Sequence, residues 1–84
     1  MVEKVTVFSK PDQQCRPCWA TKKRLSDKEI KFISHDVTTD PDAEAEAKSY
    51  GYMQTPIVVV DFADGSQESW SGYDPDRIDA LAAA

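Results

Sequence analysis

The sequence predicts an α/β fold with the element order β-α-β-α-β-β-α, in which one four-stranded mixed sheet is flanked by three helices. Three observations predict this fold. A short apolar alternation near the N-terminus and a continuous apolar run after position 56 are typical of strands. Two Asp-Pro pairs each precede a stretch of helix-forming residues, as helix N-caps do. An Asp-Gly pair follows the apolar run and indicates a β-hairpin.

Length and composition limit the possible classes of protein. The 84 residues predict one domain over positions 1–84, near the lower size at which a chain buries a useful core without covalent or metal staples. A net charge of −5 disfavours a nucleic-acid partner, because phosphate contacts need clustered lysines and arginines. Residues 1–10 lack the long apolar run of a signal peptide or membrane span. We therefore expect a cytoplasmic monomer with neither a nucleic-acid nor a membrane partner.

The first strand and the first helix flank a loop. Val2 to Phe8 predicts the strand, because Val5 and Val7 alternate with polar neighbours. The helix is predicted from Arg16 to Lys28, a stretch of mostly good helix formers with cations towards its C-terminal end. Residues at helical spacing should form its inner face: Cys18, Thr21 and Leu25.

The second strand and the second helix follow directly. Ile30 to Val37, rich in apolar and β-branched residues, predicts the strand. Asp40 then has the position of an N-cap, Pro41 that of the first helical residue, and Gly51 that of the stop. Signals at both ends therefore bound this helix.

A hairpin and a last helix complete the predicted fold. Ile57 to Val60 is an apolar run suited to a strand buried on both faces, and Asp64-Gly65 turns the chain into a strand over Gln67 to Trp70. Asp74-Pro75 repeats the cap-then-proline pattern before the terminal helix, which carries Arg77, Ile78 and Leu81.

Cys15-Arg16-Pro17-Cys18 carries the chemistry that the sequence predicts. Two cysteines separated by two residues at a helix start can form a reversible disulfide. The helix N-terminus should stabilise the Cys15 thiolate and lower its pKa from the free value of about 8.5. Cys15 is then the predicted nucleophile, and Cys18 attacks it to resolve the mixed disulfide. Arg16 adds a positive charge, and Pro17 falls in the first helical turn, where its missing N–H costs no helix bond.

Other interpretations of the cysteines and their neighbours stay open. A zinc site needs four ligands, and His35 is the one nitrogen donor of that kind in the chain. Two ordinary buried cysteines could also have this spacing by chance. Trp19 could pack beneath the helix or contact a partner. His35 follows the second strand and is predicted to have a surface or strand-end role rather than a catalytic one.

Four segments resemble the NrdH-redoxins, glutaredoxin-like proteins of the thioredoxin superfamily: Val5 to Pro11, Cys15 to Cys18, Gly51 to Val58 and Trp70 to Asp76. The resemblance implies a thioredoxin/glutaredoxin fold and a dithiol oxidoreductase without a cofactor. It further implies that the client is ribonucleotide reductase and the electron source thioredoxin reductase. Glutathione-using glutaredoxins usually have Gly-Gly and paired aspartates in the last segment. A glutathione-dependent dithiol glutaredoxin and a metal or iron–sulfur binding module remain the alternatives.

The resemblance also implies which residues meet a partner. In the thioredoxin fold, the proline after Thr55 has a cis peptide bond beside the active-site cysteines and leaves the Thr55 backbone free to pair with a substrate chain. The predicted partner-binding residues are Arg16, Pro17, Thr55, Pro56, Trp70, Ser71, Gly72 and Tyr73. Two features depart from the family pattern. The loop containing residues 12–14 is longer by two residues, and Asp74 occupies a position where the family has a basic or amide residue.

Overall fold

The computed structural model describes residues 1–83, so the predicted domain boundary at Ala84 lies outside the described residues. The helices and strands follow the predicted order, with one short 3-10 helix added before the first α-helix. They are β1 (Val2–Ser9), the 3-10 helix (Asp12–Gln14), α1 (Arg16–Asp27), β2 (Ile33–Asp36), α2 (Pro41–Ser49), β3 (Ile57–Phe62), β4 (Gln67–Ser71) and α3 (Pro75–Ala82).

The four strands form one mixed sheet in the order β2-β1-β3-β4. β1 pairs in parallel with β2 and antiparallel with β3, where Val7 lies opposite Val58. β4 adds to β3 as an antiparallel hairpin partner, with Trp70 opposite Val58. The predicted fold class is confirmed. Because β1 and β2 are parallel, the chain needs a crossover between them, and α1 supplies it.

The two central strands are buried on both faces, which explains the continuous apolar run of β3. Successive side chains of a strand point to opposite faces. On one face, Val58 and Val60 pack with Leu25 of α1 and Ile78 of α3. On the other face, Val59 and its neighbours pack against the two buried alanines of α2, Ala43 and Ala47. Two helices therefore cover one face of the sheet, and the third covers the other.

Side-chain caps start the second and third helices at the predicted residues. The Asp40 carboxylate accepts the N–H groups of Asp42 and Ala43 at 3.1 and 3.2 Å. The Asp74 carboxylate accepts the N–H of Arg77 at 3.2 Å. Each carboxylate pairs donors that the first helical turn leaves without a partner.

The second predicted strand, Ile30 to Val37, is too long, because only Ile33–Asp36 is a strand. The chain first has to turn back after α1. Glu29 adopts a left-handed φ of 58°, and the Ile30 N–H donates to the Leu25 carbonyl at 2.9 Å. This turn places the Ile30 side chain against the core instead of in the sheet.

Candidate active site

Cys15 is the N-cap residue of α1, and its sulfur caps the helix. The Cys15 Sγ accepts the N–H of Cys18 at 3.2 Å. The first N–H groups of a helix have no intrahelical partner, so the sulfur takes a position that an oxygen acceptor commonly occupies. Pro17 lies in the first turn, where it has no N–H to leave unpaired. The same N–H and the helix dipole would stabilise a thiolate on Cys15 once the disulfide is reduced.

Cys15 and Cys18 are joined by a disulfide, and their exposure differs. Cys15 is 7% exposed, whereas Cys18 is 0% exposed and lies one helical turn inside the protein. A sulfur of another protein can therefore reach Cys15 but not Cys18. Cys18 can meet only the sulfur of Cys15.

The Thr55-Pro56 segment lies directly beside the disulfide. Its peptide bond is cis, as the resemblance implies. The Thr55 side-chain oxygen lies 3.6 Å from the Cys15 Sγ, and the Thr55 carbonyl oxygen lies 3.7 Å from it. Pro56 is buried and begins the approach to β3. The site is therefore assembled from the start of α1 and from the segment before β3, which are 40 residues apart in sequence.

The lengthened loop before Cys15 folds into the 3-10 helix rather than looping away from the site. Asp12 in this helix pairs with Lys22 of α1 at 2.6 Å. The Cys15 N–H donates to the Asp12 carbonyl at 3.2 Å. The added residues thus pack against α1 and still deliver Cys15 to the N-cap position. Lys10, which precedes the loop, lines the same groove as Cys15.

A groove of about 660 Å³ opens in front of Cys15. Four of the predicted site residues line it: Cys15, Arg16, Pro17 and Thr55. The Arg16 guanidinium lies 5.4 Å from the ring centre of Trp19. Trp19 is 42% exposed, so its indole is on the surface next to the redox pair and is not a core side chain.

Sequence reasoning missed several residues that line the groove. Tyr52 lines the groove, and its hydroxyl forms a hydrogen bond of 2.9 Å with the Ser69 hydroxyl. Met53 precedes Thr55 by two positions and is 96% exposed. Tyr52 and Met53 lie close in sequence to Thr55-Pro56, and that position could have indicated both as groove residues. Glu44 and Lys48 come from α2, and no local signal connects that helix with the cysteines.

The prediction that the Trp70 side chain contacts a partner needs a correction. Trp70 is 5% exposed and belongs to the core cluster with Val58 and Ile78. The Arg77 guanidinium lies 5.4 Å from its ring centre. Burial of a large aromatic ring stabilises the fold but withdraws the indole from any partner. Local sequence could not show that this residue of β4 faces the core.

The residues that follow Trp70 border the site without lining the groove. The Gly72 N–H donates to the Pro56 carbonyl at 2.9 Å. This hydrogen bond holds the chain just after β4 beside the cis proline. Gly72 has a φ of +81°, which favours glycine. Tyr73 is 40% exposed.

Asp74 and His35 each contact residues that stabilise the fold. The Asp74 carboxylate caps α3, which gives this departure from the family pattern a role in the fold. His35 stacks on Phe8 with ring centres 5.7 Å apart.

On the other face of the sheet, Asp79 of α3 binds Arg24 of α1 through two hydrogen bonds of 3.0 and 2.6 Å. The Arg24 guanidinium holds the pKa of Asp79 below its ordinary value of 3.8.

Within positions 1–83, no three histidine, cysteine or acidic side chains are grouped as metal ligands. None of the helices in that part of the chain has the length and apolar character required to cross a membrane.

Residues 5–62 match the glutaredoxin family. The chain belongs to that family. This glutaredoxin is 30% identical over 78 residues to the glutaredoxin-like protein NrdH of Escherichia coli, an alignment that covers 93% of the chain and 88% of NrdH. It is 35% identical over 78 residues to the Gene 56 protein of Mycobacterium phage L5, covering 92% of the chain and 70% of the phage protein.

A solved structure agrees with these sequence relationships. The glutaredoxin-like protein NrdH-redoxin from Escherichia coli, described as having a thioredoxin-like activity profile, matches with a TM-score of 0.78 and 30% identity. The match covers 94% of this chain and 95% of the other. Family membership together with the Cys15–Cys18 disulfide makes the protein a thiol-disulfide oxidoreductase.

Proposed function

We propose that this glutaredoxin is a dithiol electron donor that reduces a disulfide of ribonucleotide reductase and is itself reduced by thioredoxin reductase. The observation that carries the proposal is the disulfide at the start of α1, open to the groove through Cys15 alone. The named client and electron source rest on the likeness to NrdH proteins over 93% of the chain. The likeness includes the segment from Trp70 to Asp76, whose Gly72 is bonded to Pro56 beside the cysteines.

The two cysteines divide the reaction into two exchange steps. The Cys15 thiolate attacks one sulfur of the client disulfide, so that a Cys15–client bond forms, the client's own S–S bond breaks, and the departing client thiolate gains a proton from water. Cys18 then loses its proton and attacks Cys15. The Cys15–Cys18 bond forms, the second client sulfur leaves, and two electrons have passed to the client.

Thr55 is proposed to hold the client chain while these steps occur. Within residues 1–83, no backbone carbonyl accepts the Thr55 N–H. An extended client segment in the groove can supply that carbonyl, as a strand added to a free edge does. Arg16 and Pro17 lie on the same groove, and we propose them as further contacts for the client. We place the reaction in the cytoplasm, where thiols are kept reduced and a dithiol donor can turn over.

The proposal is tested by supplying each electron source in turn. The oxidised protein is mixed with NADPH and thioredoxin reductase, or with NADPH, glutathione and glutathione reductase, and a ribonucleotide reductase is the final acceptor. We expect NADPH oxidation and deoxyribonucleotide formation with thioredoxin reductase. Cys15→Ser should abolish both signals and serves as the control. Turnover with the glutathione system alone would contradict the proposed electron source.

A glutathione-dependent glutaredoxin is the second candidate, because three cations line the groove and two of them have no ion-pair partner among the described residues. Lys10 and Arg16 both line it, and neither belongs to an ion pair among the described residues. Guanidinium and ammonium groups bind carboxylates, and glutathione carries two of them. The same coupled assay separates the two candidates.

A further inference from the structure

Thr21 of α1 is a buried polar residue whose hydroxyl has no hydrogen-bond partner among residues 1–83. It is 0% exposed, and its Oγ1 makes no hydrogen bond with any of the described residues. Buried polar groups in folded proteins nearly always have a partner, and an exception needs an explanation. A threonine in a helix commonly bonds a carbonyl of the preceding turn, and Thr21 does not. The hydroxyl is therefore free to bond another group.

The neighbour of Thr21 along the helix is Cys18. The two residues are three positions apart in α1, and both are 0% exposed. Residues three apart lie on the same face of a helix, with Cβ atoms about 5–6 Å apart. In the oxidised protein the Cys18 sulfur is bonded to Cys15, so it has neither a proton to donate nor a charge to be stabilised. The Cys18 sulfur is thus a poor hydrogen-bond partner for the Thr21 hydroxyl in the oxidised state.

Reduction changes what Cys18 requires. In the dithiol, Cys18 carries an S–H that water cannot reach. In the resolving step it has to become a thiolate in the same buried place, and an apolar environment disfavours that charge. A hydroxyl can accept a hydrogen bond from the thiol and, after rotating, donate one to the thiolate. Among residues 1–83, the one other buried side-chain polar atom without a hydrogen-bond partner is Trp70 Nε1. An indole N–H only donates, so a bond from it to the Thr21 hydroxyl would still leave the hydroxyl proton available.

Charged groups around this part of α1 do not supply such a donor or a base. On the helix itself, Arg16 is exposed over Trp19. Of the carboxylates on neighbouring elements, Asp12 is paired with Lys22, and Asp79 of α3 is paired with Arg24. Neither carboxylate is bonded to Cys18.

We propose that Thr21 is a positioning residue for the resolving step, in which its hydroxyl donates a hydrogen bond to the Cys18 sulfur as that sulfur attacks Cys15. The Cys18–Cys15 bond forms while the bond from Cys15 to the client sulfur breaks. The proton that Cys18 gives up goes to water, and the departing client thiolate takes one back. Thr21 changes its hydrogen bond but gains or loses no proton.

The experiment follows the resolving step directly with 5,5′-dithiobis(2-nitrobenzoate), a disulfide whose thiolate product absorbs visible light. Reduced protein is mixed with one equivalent in a stopped-flow instrument. Attack by Cys15 releases the first thiolate, and attack by Cys18 on the mixed disulfide releases the second. The rate of each release is measured between pH 5 and pH 10 for the wild type and for variants of Thr21.

Thr21→Val is expected to slow the second release about tenfold at neutral pH and to move the pH midpoint of that rate upward by about one, the two effects being equivalent for a group that must be deprotonated. The first release should stay unchanged. Thr21→Ser keeps the hydroxyl and should behave like the wild type. Thr21→Ala provides a second variant without a hydroxyl and should show the same upward midpoint.

Three results would overturn the proposal. The first is a wild-type midpoint for the second release in Thr21→Val and Thr21→Ala. The second is an equal change in Thr21→Ser, which would assign the effect to packing by the threonine methyl. The third is an equal slowing of both releases, which would indicate a general disturbance of the fold. None of these readings depends on ribonucleotide reductase or on thioredoxin reductase, so the proposed function can fail while this proposal stands.

Discussion

Thr21→Val should stabilise the oxidised protein, because it removes a buried hydroxyl that has no hydrogen-bond partner among the described residues. The Thr21 hydroxyl is fully buried and has no partner among the described residues, so folding removes it from water without compensation. A buried unpaired polar group of this kind costs about 1–3 kcal/mol. Valine replaces the hydroxyl with a methyl group, keeps the branched shape and has a helix propensity close to that of threonine. We expect a gain of about 1 kcal/mol or more in the free energy of unfolding.

The measurement is urea unfolding of the oxidised protein, followed by far-ultraviolet circular dichroism and by tryptophan fluorescence. For a chain of this size, each kcal/mol shifts the thermal midpoint by about 4–8 °C, so a thermal melt gives an independent reading. Thr39→Val is the matched control, because Thr39 is exposed. That variant should stay within about 0.5 kcal/mol of the wild type.

A loss of stability in oxidised Thr21→Val would refute this reasoning, since it would mean that the hydroxyl has a partner in the disulfide form. Redox state supplies a further comparison. If the hydroxyl bonds Cys18 only after reduction, valine should stabilise the dithiol less than the disulfide. Repeating the unfolding in dithiothreitol measures that difference.

Three further predictions address the cysteines, the third helix and an ion pair. Cys18→Ser should accumulate a mixed disulfide on Cys15, seen by mass spectrometry, because the group that resolves it is gone; release of both client sulfurs would argue against the assigned roles. Asp74→Ala should lower the free energy of unfolding by about 1 kcal/mol through loss of the α3 cap, while Asp74→Asn, which can still cap, should lose less. Asp79 has a depressed pKa in the folded state, so its contribution to stability is present above its ordinary value of 3.8 and is lost as the pH falls through the folded value. Asp79→Asn should therefore lower the thermal midpoint at pH 7 and match the wild type at a pH well below the folded pKa of Asp79; an equal deficit at both pH values would contradict the ion-pair explanation.

Local signals predicted most helix and strand positions, because their causes are local. A carboxylate at Asp40 or Asp74 caps the turn that follows it, and helical spacing put Cys18, Thr21 and Leu25 on one buried face. The second strand was predicted too long because Ile30 and Phe32 are as apolar as strand residues. Their packing is set by the turn at Glu29, which joins α1 to the sheet.

The sequence by itself determined the redox chemistry: two cysteines at a helix start, with a proline between them that suits the first turn. Only the tertiary structure decided what surrounds them. In that structure Thr55 lies against Cys15, Trp70 is in the core, and Lys48 of α2 lines the groove. The Thr21 hydroxyl has no hydrogen-bond partner among the described residues. The physical reason is that capping and periodicity act between residues a few positions apart. Which distant surfaces meet depends on how the helices pack on the sheet.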